Sequence, residues 1–384
     1  MRVAIVAESF PPDVNGVAHS VVRVAEHLLR RNHEPLVLAP QPMRSVDVSA
    51  HDAGLPYPVV RVPSVAMPGY QTFRIGLPSR RPDRALRAHD ADVVHLASPF
   101  ALGAWGMAAA RRVGVPAVAV YQTDVPAFAG SYRLGAGRGA AWRWLRWIHN
   151  AADRTLAPST ASAATLRDYG IERVHLWRRG VDTVRFDPAK RDAEWRRRLA
   201  PDGEVIVGYV GRLAGEKRLD LLEPITRLPG VRVVVVGDGP ARQLAERALP
   251  HATFLGERTG DELARLYASF DVFCHTGPYE TFCQCVQEAL ASGVPVVAPA
   301  AGGPLDLVLP GRTGFLVPPL DAAAVRDAVA TLAESPELRA RYGQAARRWV
   351  AGRTWEAVGD QLLDHYAAVL ADADRTANGL DRAA

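Results

Sequence analysis

Lysine and cysteine are both scarce in this chain of 384 residues, and each shortage narrows what the protein can be. Only Lys190 and Lys217 interrupt a basic complement of 46 residues that is otherwise arginine, so either lysine is a candidate for a specific role. The three cysteines, Cys274, Cys283 and Cys285, are clustered and odd in number, which indicates neither a disulfide framework nor a tetrahedral zinc site. This cysteine usage favours a reducing cytoplasm.

Targeting segments, membrane spans and nucleic-acid motifs are missing as well. The apolar run at 3–7 ends at Glu8 and is too short for the core of a secretory signal. The longest mostly apolar stretch, 93–110, is interrupted by Ser98 and Pro99, so it fits a strand, a turn and a helix, and no membrane span is predicted. The net charge of +5 suits phosphate-bearing ligands or an anionic membrane surface and is too small to indicate nucleic acid.

The pattern of short apolar runs predicts a two-domain α/β protein, because a chain of this length exceeds one hydrophobic core. Strands are predicted at 3–7, 36–39, 93–96, 117–121, 205–210, 231–236, 253–255, 272–275, 294–298 and 315–317. They alternate with helical stretches, which is typical of parallel sheets covered by helices. The predicted domains are 1–184 and 185–354, followed by a helix at 355–372 that packs back on the first domain and a frayed tail at 373–384.

In open parallel sheets, ligands bind beyond the carboxyl ends of the strands, so two facing sheets would form a cleft lined by the loops that follow them. One such loop contains Glu280 and Glu288, two carboxylates with seven residues between them. The spacing after Phe282 predicts a helix ending at Gly293, with Glu280 just before it and Glu288 about two turns inside. Carboxylates accept sugar hydroxyls and a helix N-terminus accepts phosphate, which suits a sugar nucleotide. Two solvated glutamates on a surface helix would show the same spacing.

Two further loops carry residues suited to a diphosphate. Gly16 follows the first strand and would bring backbone N–H groups close to an oxygen, although an ordinary turn also needs glycine there. Arg212 offers a planar fork for phosphate oxygens and Lys217 a compact charge, unless this is a solvated basic turn with Arg218. The turn at 237–240 fits a structural role as well as a ligand loop, and the three-glycine dinucleotide fingerprint is absent.

A helical stretch rich in tryptophan and arginine is predicted at 138–149. Trp144, Leu145 and Ile148 are expected on one face, with Arg143 and Arg146 opposite. Tryptophan beside arginine is the chemistry of a membrane interface, and a core helix with tryptophans at its margins is the alternative. The candidate membrane and acceptor residues are Asp13, Trp142, Arg143, Arg146 and Trp147.

Taken together, these motifs resemble the large retaining glycosyltransferase family with the two-domain GT-B fold, of the family 4 type. The resemblance rests on Gly-Arg-Leu-x-x-Glu-Lys at 211–217, Gly-Asp-Gly-Pro at 237–240, Glu-Thr-Phe at 280–282 and Ser-Gly-Val-Pro-Val-Val at 292–297. The stretches at 3–17, 94–99, 121–126 and 177–182 are similar to actinobacterial GDP-mannose-dependent α-mannosyltransferases of glycolipid and lipoglycan assembly. The resemblance covers nearly the whole chain, and related sulfoquinovosyltransferases share several stretches.

The resemblance implies roles for individual residues. Arg212 and Lys217 would hold the donor diphosphate, Glu288 the ribose hydroxyls, and Glu280 the transferred sugar. The implied donor-binding residues are Gly16, Gly211, Arg212, Lys217, Phe282, Cys283 and Glu288. The implied catalytic residues are Arg212, Lys217, Glu280, Gln122 and Asp124. Many relatives have histidine at the position of Gln122 and glycine at that of Cys283, which leaves the polar partner at the anomeric centre open.

The implied activity is retaining transfer of an α-mannosyl residue from GDP-mannose to a membrane glycolipid, such as a glucuronosyl diacylglycerol or a phosphatidylinositol-type lipid. The protein would be cytoplasmic and peripheral on the inner face of the cell membrane, with no nucleic-acid partner. The acids at Asp90 and Asp92 match a metal-binding pattern but precede a strand, so no essential metal is predicted. A UDP-sugar donor, or a sugar-nucleotide-binding protein without turnover, remains an alternative, and the oligomeric state is open.

Overall fold

The computed structural model describes residues 1–13, 15–43, 47–67, 70–97, 99–122 and 137–381. The chain forms two compact units. The first contains residues 1–158, 163–178 and 358 onward, and the second contains 159–162 and 179–357. The sequence analysis predicted residues 179–184 in the first domain and residues 355–357 in the terminal helix that packs on it. In the structure both segments belong to the second unit.

The first unit is built on a parallel sheet of seven strands in the order β3-β2-β1-β6-β7-β8-β9. These strands are β1 (Arg2–Ala7), β2 (Glu34–Pro40), β3 (Val59–Val62), β6 (Val93–Ala97), β7 (Ala117–Val120), β8 (Arg154–Ala157) and β9 (Val174–Leu176). A separate antiparallel pair consists of β4 (Ser64–Met67) and β5 (Tyr70–Gly76).

The second unit repeats the arrangement with a parallel sheet of six strands in the order β12-β11-β10-β13-β14-β15. These are β10 (Val205–Val210), β11 (Val231–Val236), β12 (Thr253–Gly256), β13 (Val272–Cys274), β14 (Val296–Pro299) and β15 (Gly314–Val317). In both sheets the first strand is central and the chain leaves it toward one edge before returning to the other. This reversal beside the first strand is the place where ligands bind in such sheets.

Helices flank both sheets. In the first unit they are α1 (Gly16–Arg30), α2 (Ser49–Ala53), α3 (Arg81–His89), α4 (Leu102–Val113), α5 (Gly137–Ala151) and, across the junctions between units, α6 (Thr160–Asp168). In the second they are α7 (Ala193–Leu199), α8 (Arg242–Ala248), α9 (Gly260–Ser269), α10 (Gln284–Ala291), α11 (Pro304–Leu307), α12 (Ala322–Glu334) and α13 (Pro336–Val350). The last helix is α14 (Trp355–Asp381), and three 3₁₀ segments lie at Pro188–Lys190, Gly215–Lys217 and Leu219–Arg227.

The continuous apolar character of β1 follows from burial on both faces. Val3 and Ile5 pack into a cluster with α1 and α14, whereas Ala4 and Val6 pack into a cluster with α3 and α4. Successive side chains of a strand point to opposite faces, so a strand covered by helices on both sides has no polar face. The same reasoning explains the uninterrupted valines of β11.

Several helix ends follow from capping residues in the sequence. The side chains of Asn15, Asp192, Asp321 and Ser335 accept hydrogen bonds from amides in the first turns of α1, α7, α12 and α13. Gly114 ends α4 in the left-handed conformation, with φ 79°. Such caps satisfy backbone groups that the helix itself leaves unpaired.

Helix α14 packs on the core of the first unit, as its amphipathic spacing requires. Val358, Leu362, Tyr366 and Val369 join the cluster that contains alternate residues of β1. The Tyr366 hydroxyl lies 2.7 Å from Nδ1 of His95, and burial lowers the pKa of His95 to about 3. The helix continues to Asp381, beyond the end at residue 372 that the sequence analysis expected.

Each predicted strand is present, with small shifts at its ends. The strands that the sequence analysis missed are β3, β4, β5, β8 and β9. They are short and mix polar with apolar residues, so their periodicity is weak. No helix in the described ranges is both long and apolar enough to cross a lipid bilayer.

Candidate active site

A partly buried lysine, Lys217, lies at the carboxyl end of the second sheet. The chain leaves β10 through Gly211 and forms a short 3₁₀ turn that ends at Lys217. The hydroxyl of Thr276, which follows β13, donates a hydrogen bond of 2.7 Å to the carbonyl of Lys217. Because β10 and β13 are neighbours in the sheet, the turn is fixed at their common end.

Lys217 forms an ion pair with Glu280, and its ammonium nitrogen lies 2.5 Å from Oε1 of that carboxylate. Burial disfavours the charged form of each residue, but the attraction between the ammonium and the carboxylate outweighs this cost. The pKa of Lys217 is raised above its ordinary value, and the pKa of Glu280 is lowered to about 2. The pair is therefore ionised at neutral pH, which confirms that these two candidate residues lie together.

His275 adds a second contact to the same carboxylate. Its Nε2 lies 3.2 Å from Oε1 of Glu280, in an ionic contact without the alignment of a good hydrogen bond. Burial lowers the pKa of His275, but the neighbouring Cys285 and Glu280 raise it to about 9 overall. A hydrogen bond from Cys283 and the charge of His275 lower the pKa of Cys285 to about 5 against the opposing effect of burial. The sequence analysis missed His275, although its place directly after β13 was a usable signal.

The loop that carries Glu280 is held by a pair of glycines after β14. Gly303 donates its N–H to the carbonyl of Glu280 at 2.8 Å. A Cβ atom at Gly302 would lie 2.3 Å from the Glu280 carbonyl oxygen, and one at Gly303 would lie 2.0 Å from that of Phe282. Only glycine permits so close a backbone approach. Phe282 and Cys283 are accordingly buried, and both pack into the core of this unit.

Arg212 lies on the same loop as Lys217 but in a more exposed setting. Its side chain is 37% exposed and forms an ion pair with Glu216, four residues further on. Arg218, as expected, is on the solvent side, where it pairs with Asp220 at 2.7 Å. An exposed guanidinium with one partner remains able to reach a second anion, so Arg212 suits a phosphate ligand better than a structural role.

The turn at 237–240 has a structural explanation. A Cβ atom at Gly237 would lie 2.0 Å from the Gly211 carbonyl oxygen, and one at Gly239 would lie 2.4 Å from that of Leu213. The amide of Leu213 donates to the carbonyl of Asp238 at 2.9 Å. The two loops are thus packed backbone against backbone, and the glycines of the second loop support the Gly211–Lys217 loop.

Glu288 lies on α10, one turn from the start of that helix rather than two, because the helix begins at Gln284. Burial and the charge of Cys285 raise the pKa of Glu288 to about 8, partly offset by Tyr267 and Arg179. Arg179, which the sequence analysis did not single out, is itself buried, and its pKa is lowered to about 10 despite the charge of Glu288. An enclosed acid beside an enclosed base is a feature common at ligand sites.

The candidate residues of the first unit occupy strand ends in the other sheet. Gly16 is the first residue of α1, where Asn15 caps the helix through hydrogen bonds of 3.0 Å to the amides of Val17 and Ala18. Asp13 accepts a hydrogen bond of 2.7 Å from Ser9, which also accepts one from Asn15. This network gives the loop after β1 a defined shape and leaves α1 pointing its N-terminus beyond the sheet.

Glu8, which the sequence analysis did not propose, is buried in the same loop. Its Oε1 accepts hydrogen bonds from the amides of Phe100 and Gly103 at 2.8 and 2.7 Å. Burial raises the pKa of Glu8, although these hydrogen bonds oppose the shift. Glu8 thereby ties the loop after β1 to the start of α4. Of the remaining candidates, Gln122 follows β7 with its amide enclosed, and Asp124 lies outside the described residues.

Helix α5 corrects part of the membrane prediction. Trp142 is only 6% exposed and stacks on Tyr169 with ring centroids 3.8 Å apart, so it is a core residue. Trp144 lies instead on the exposed side with Trp147, and the two rings stack 5.2 Å apart. The helical period places 142 with Leu145 in the core and leaves 144 with 147 outside.

The exposed side of α5 combines these tryptophans with arginines. Arg143 and Arg146 are exposed, and neither has an ion-pair partner among the described residues. With Arg111 of α4 they line a surface depression of about 380 Å³ beside Trp147. We refer to Arg111, Arg143, Trp144, Arg146 and Trp147 as the α5 surface.

Comparison with known proteins identifies the family. Residues 14–185 match the family Glycosyltransferase Family 4, and residues 191–349 match Glycosyl transferases group 1. The chain is 55% identical to a GDP-mannose-dependent alpha-mannosyltransferase of Mycobacterium tuberculosis, over 96% of this chain and 97% of that protein. It is 44% identical to a protein of the same description from Corynebacterium glutamicum, over 98% and 91%.

A more distant relative is a GDP-mannose-dependent alpha-(1-6)-phosphatidylinositol monomannoside mannosyltransferase of Mycobacterium tuberculosis, which is 30% identical over 94% of this chain and 97% of that protein. Among solved structures, Anabaena HepE in complex with UDP has a TM-score of 0.77 at 21% identity, covering 96% of this chain and all of that one. Sucrose-phosphate synthase from Thermosynechococcus elongatus has a TM-score of 0.78 at 21% identity, covering 97% and 99%. The architecture is therefore the GT-B fold with two Rossmann-like domains, and the chain belongs to the family 4 glycosyltransferases, in one family with these mannosyltransferases.

Proposed function

We propose that this protein transfers an α-mannosyl residue from GDP-mannose to a glycolipid at an anionic membrane surface, with retention of anomeric configuration. The observation that carries the proposal is the partly buried Lys217–Glu280 pair at the end of the second sheet, in a chain that is 55% identical to a GDP-mannose-dependent enzyme over nearly its whole length. The donor, the chemistry and the acceptor each depend on a different part of the molecule.

The leaving group of this reaction is a diphosphate, and Lys217 with Arg212 supplies the charge that it needs. As the bond to the sugar breaks, negative charge grows on the phosphate oxygen. Cations held in place stabilise that charge more strongly in the transition state than in the bound donor, which lowers the barrier. Lys217 is the stronger contributor because its shielded position weakens the competition from water.

The two acids would bind the hydroxyl-bearing ends of the donor. Glu280 is held ionised by Lys217, so its free oxygen can accept a hydrogen bond from a sugar hydroxyl. Glu288 would accept the ribose hydroxyls, and Gly16 would offer a backbone amide to the diphosphate. The site predicts no side-chain base for the acceptor, because a leaving phosphate oxygen can take the acceptor proton on the same face. Gln122 and Asp124 would contact the transferred sugar.

The proposed lipid acceptor is supported by the α5 surface and by one relative. Exposed tryptophans beside exposed arginines suit the headgroup region of a bilayer, where rings lie at the interface and cations meet anionic lipid. The relative that is 30% identical is named for a phosphatidylinositol monomannoside acceptor. We therefore place this protein at the inner face of the cell membrane as a peripheral enzyme.

Transfer from radiolabelled GDP-mannose to extracted membrane lipids tests the proposal. Label that moves into the lipid phase, with the anomeric configuration of the product shown by NMR to be α, is the expected result. Competition by GDP and not by UDP would establish the donor, whereas preference for UDP would replace it with a UDP-sugar. Tight nucleotide binding with no transfer and no donor hydrolysis would overturn the proposed enzymatic activity. The protein would then be a sugar-nucleotide-binding protein without turnover.

A further inference from the structure

Three soft or borderline donor atoms meet beside the Lys217–Glu280 pair. Nδ1 of His275, Sγ of Cys283 and Sγ of Cys285 all lie within 4.8 Å of one another. Within this set the two sulfur atoms are 3.5 Å apart, and Sγ of Cys285 is 3.8 Å from Nδ1 of His275. The spacing of the cysteines alone does not predict this meeting, because the third donor comes from the end of β13.

These distances match the coordination shell of a soft divalent ion. Zinc bonds to sulfur at about 2.3 Å and to imidazole nitrogen at about 2.0 Å, so a tetrahedral ion holds its donors roughly 3.5 to 3.8 Å apart. The two distances given above fall in that interval, and closing the third edge of the triangle needs only a small movement. A fourth position remains for water, and Cys285 is partly exposed, which provides a way in.

The other nitrogen of His275 supplies a second, independent observation. Its Nε2 lies 3.2 Å from Oε1 of Glu280. A histidine that binds a metal through one nitrogen generally donates its other N–H to a carboxylate, which fixes the tautomer and the ring orientation. The ring of Tyr209 lies parallel to that of His275, with centroids 6.2 Å apart, and restricts its rotation further.

The backbone at Cys283 also sets this position apart. Its φ is 74°, in the left-handed region that favours glycine and is uncommon for cysteine. A cysteine at this point therefore has a conformational cost that glycine would avoid. Its side chain nevertheless completes the group of donors.

We propose that His275, Cys283 and Cys285 form a binding site for a soft divalent metal ion of the zinc class, with Glu280 as the carboxylate that orients His275. The metal needs both cysteines as thiolates and Nδ1 of His275 without a proton, so any protons on these three atoms leave to solvent and the one remaining proton of His275 is on Nε2, facing Glu280. Because Glu280 also holds Lys217, the metal restrains the pair that the proposed function uses. The ion is thus an inhibitor of transfer rather than a cofactor.

Cobalt titration of the reduced full-length protein tests the site without any sugar donor. Co²⁺ bound by thiolates gives an intense charge-transfer absorption and tetrahedral d–d bands, and Zn²⁺ abolishes both on displacing it. We expect one equivalent to bind, with the thiolate absorption. Cys285→Ala and Cys283→Gly should each weaken binding by about 100-fold or more, since each removes a ligand. Cys274→Ala is the matched control, because Cys274 is a buried cysteine of β13 outside the cluster and its loss should leave binding unchanged.

Glu280→Gln tests the orienting role and should weaken metal binding by about 10- to 100-fold with all three ligands intact. Absence of the thiolate absorption in the wild-type protein, or its equal loss in Cys274→Ala, would overturn the site. Cys283→Gly relieves the backbone cost at its position, so it remains informative if Cys285→Ala fails to fold. Inhibition of transfer by Zn²⁺ rests on the proposed function, whereas the cobalt spectrum does not. Failure of the metal site and failure of the proposed function are therefore distinguishable.

Discussion

The loops that follow the central strands β1 and β10 occupy equivalent places in two sheets of the same design, yet their chemistry differs. After β10 the chain presents Arg212 and Lys217, and Lys217 is paired with Glu280. After β1 it presents Glu8, whose Oε1 accepts hydrogen bonds from the amides of Phe100 and Gly103 at the start of α4. One loop is arranged to meet an anion, and the other to fix its own shape.

The difference shows that the fold supplies a position and the loop supplies the reaction. Both units place a loop beyond the carboxyl end of a central parallel strand. In the second unit that stretch carries cations supported by tightly packed glycines, whereas in the first unit the exposed cations lie elsewhere, on the α5 surface. The proposed function accordingly places donor binding in the second unit and lipid contact in the first.

Replacing Lys217 with alanine should have the largest effect on activity, because it removes the cation that distinguishes the loop after β10 from the loop after β1. The variant removes the shielded cation from the second unit, and we expect kcat/KM for transfer to fall by about 100-fold or more, since lost transition-state charge stabilisation has effects of that size. Arg218→Ala, one residue further on and paired with Asp220 at the surface, is the control and should stay within about twofold. A folded Lys217→Ala enzyme with unchanged kcat/KM would remove Lys217 from the mechanism.

Glu288→Gln should have the next largest effect and a dependence on pH. The raised pKa of about 8 means that Glu288 is mostly protonated at neutral pH before the donor binds. If its carboxylate accepts ribose hydroxyls, GDP binding releases that proton, so affinity increases as the pH rises toward the pKa and then levels off. Glu288→Gln should weaken binding by about 10- to 100-fold and abolish the pH dependence.

Calorimetry of GDP binding in buffers of different ionisation enthalpy measures this proton directly. Glu257→Gln, an exposed acid of the same unit, should behave as the wild type. Wild-type binding without proton release would contradict the assignment of Glu288 to the ribose.

Substitutions on the α5 surface should have a smaller effect, and that effect should be limited to membrane binding. Arg143→Glu combined with Arg146→Glu reverses two charges, and we expect binding to vesicles of anionic lipid to fall by about tenfold. GDP binding should not change, because neither residue is among the proposed donor-binding residues. Arg197→Glu combined with Arg247→Glu makes the same charge change at exposed positions of the second unit. Equal losses of vesicle binding in the two double variants would show that general electrostatic attraction, and not the α5 surface, accounts for the binding.

Removal of divalent metal should have the smallest effect. Lys217 and Arg212 are proposed to neutralise the diphosphate without a cation, so transfer in EDTA should equal transfer in buffer. Added Mg²⁺ should not stimulate it. A strong loss in EDTA that Mg²⁺ restores would show that the charge of the second unit is insufficient by itself.

Much of the fold could be predicted from the sequence because its central strands are buried on both faces. The apolar runs of β1, β10 and β11 are long, and nothing else in a soluble chain produces them so regularly. The strands β3, β8 and β9, which lie at or next to the edges of the first sheet, are short and carry arginine or histidine, so local pattern could not reveal them. Helix α1 begins at Gly16 because the side chain of Asn15 caps it there, before the apolar period of the helix begins.

The candidate site was predictable only as far as residues lie near one another in sequence or follow a strand. Lys217 and Glu280 were proposed because each follows a strand, and the ion pair between them, 63 residues apart in sequence, was not predicted. Arg179 and His275 were missed because their importance arises from burial beside another titratable group, which tertiary structure alone provides. Trp142 was misassigned because a helix of mixed composition has two plausible faces, and only packing against Tyr169 selects one.

The position of α14 bears on the order in which the protein can be made. The ribosome synthesises β1 and β6 first, but the hydroxyl that partners His95 and the apolar residues that cover alternate positions of β1 arrive with the last helix. During translation the earliest strands therefore have one side only partly covered, by α1, until the second unit has emerged. We expect nascent chains that stop before residue 355 to be substrates for chaperones, and release of the final helix to be the event that lets the first half become protease-resistant.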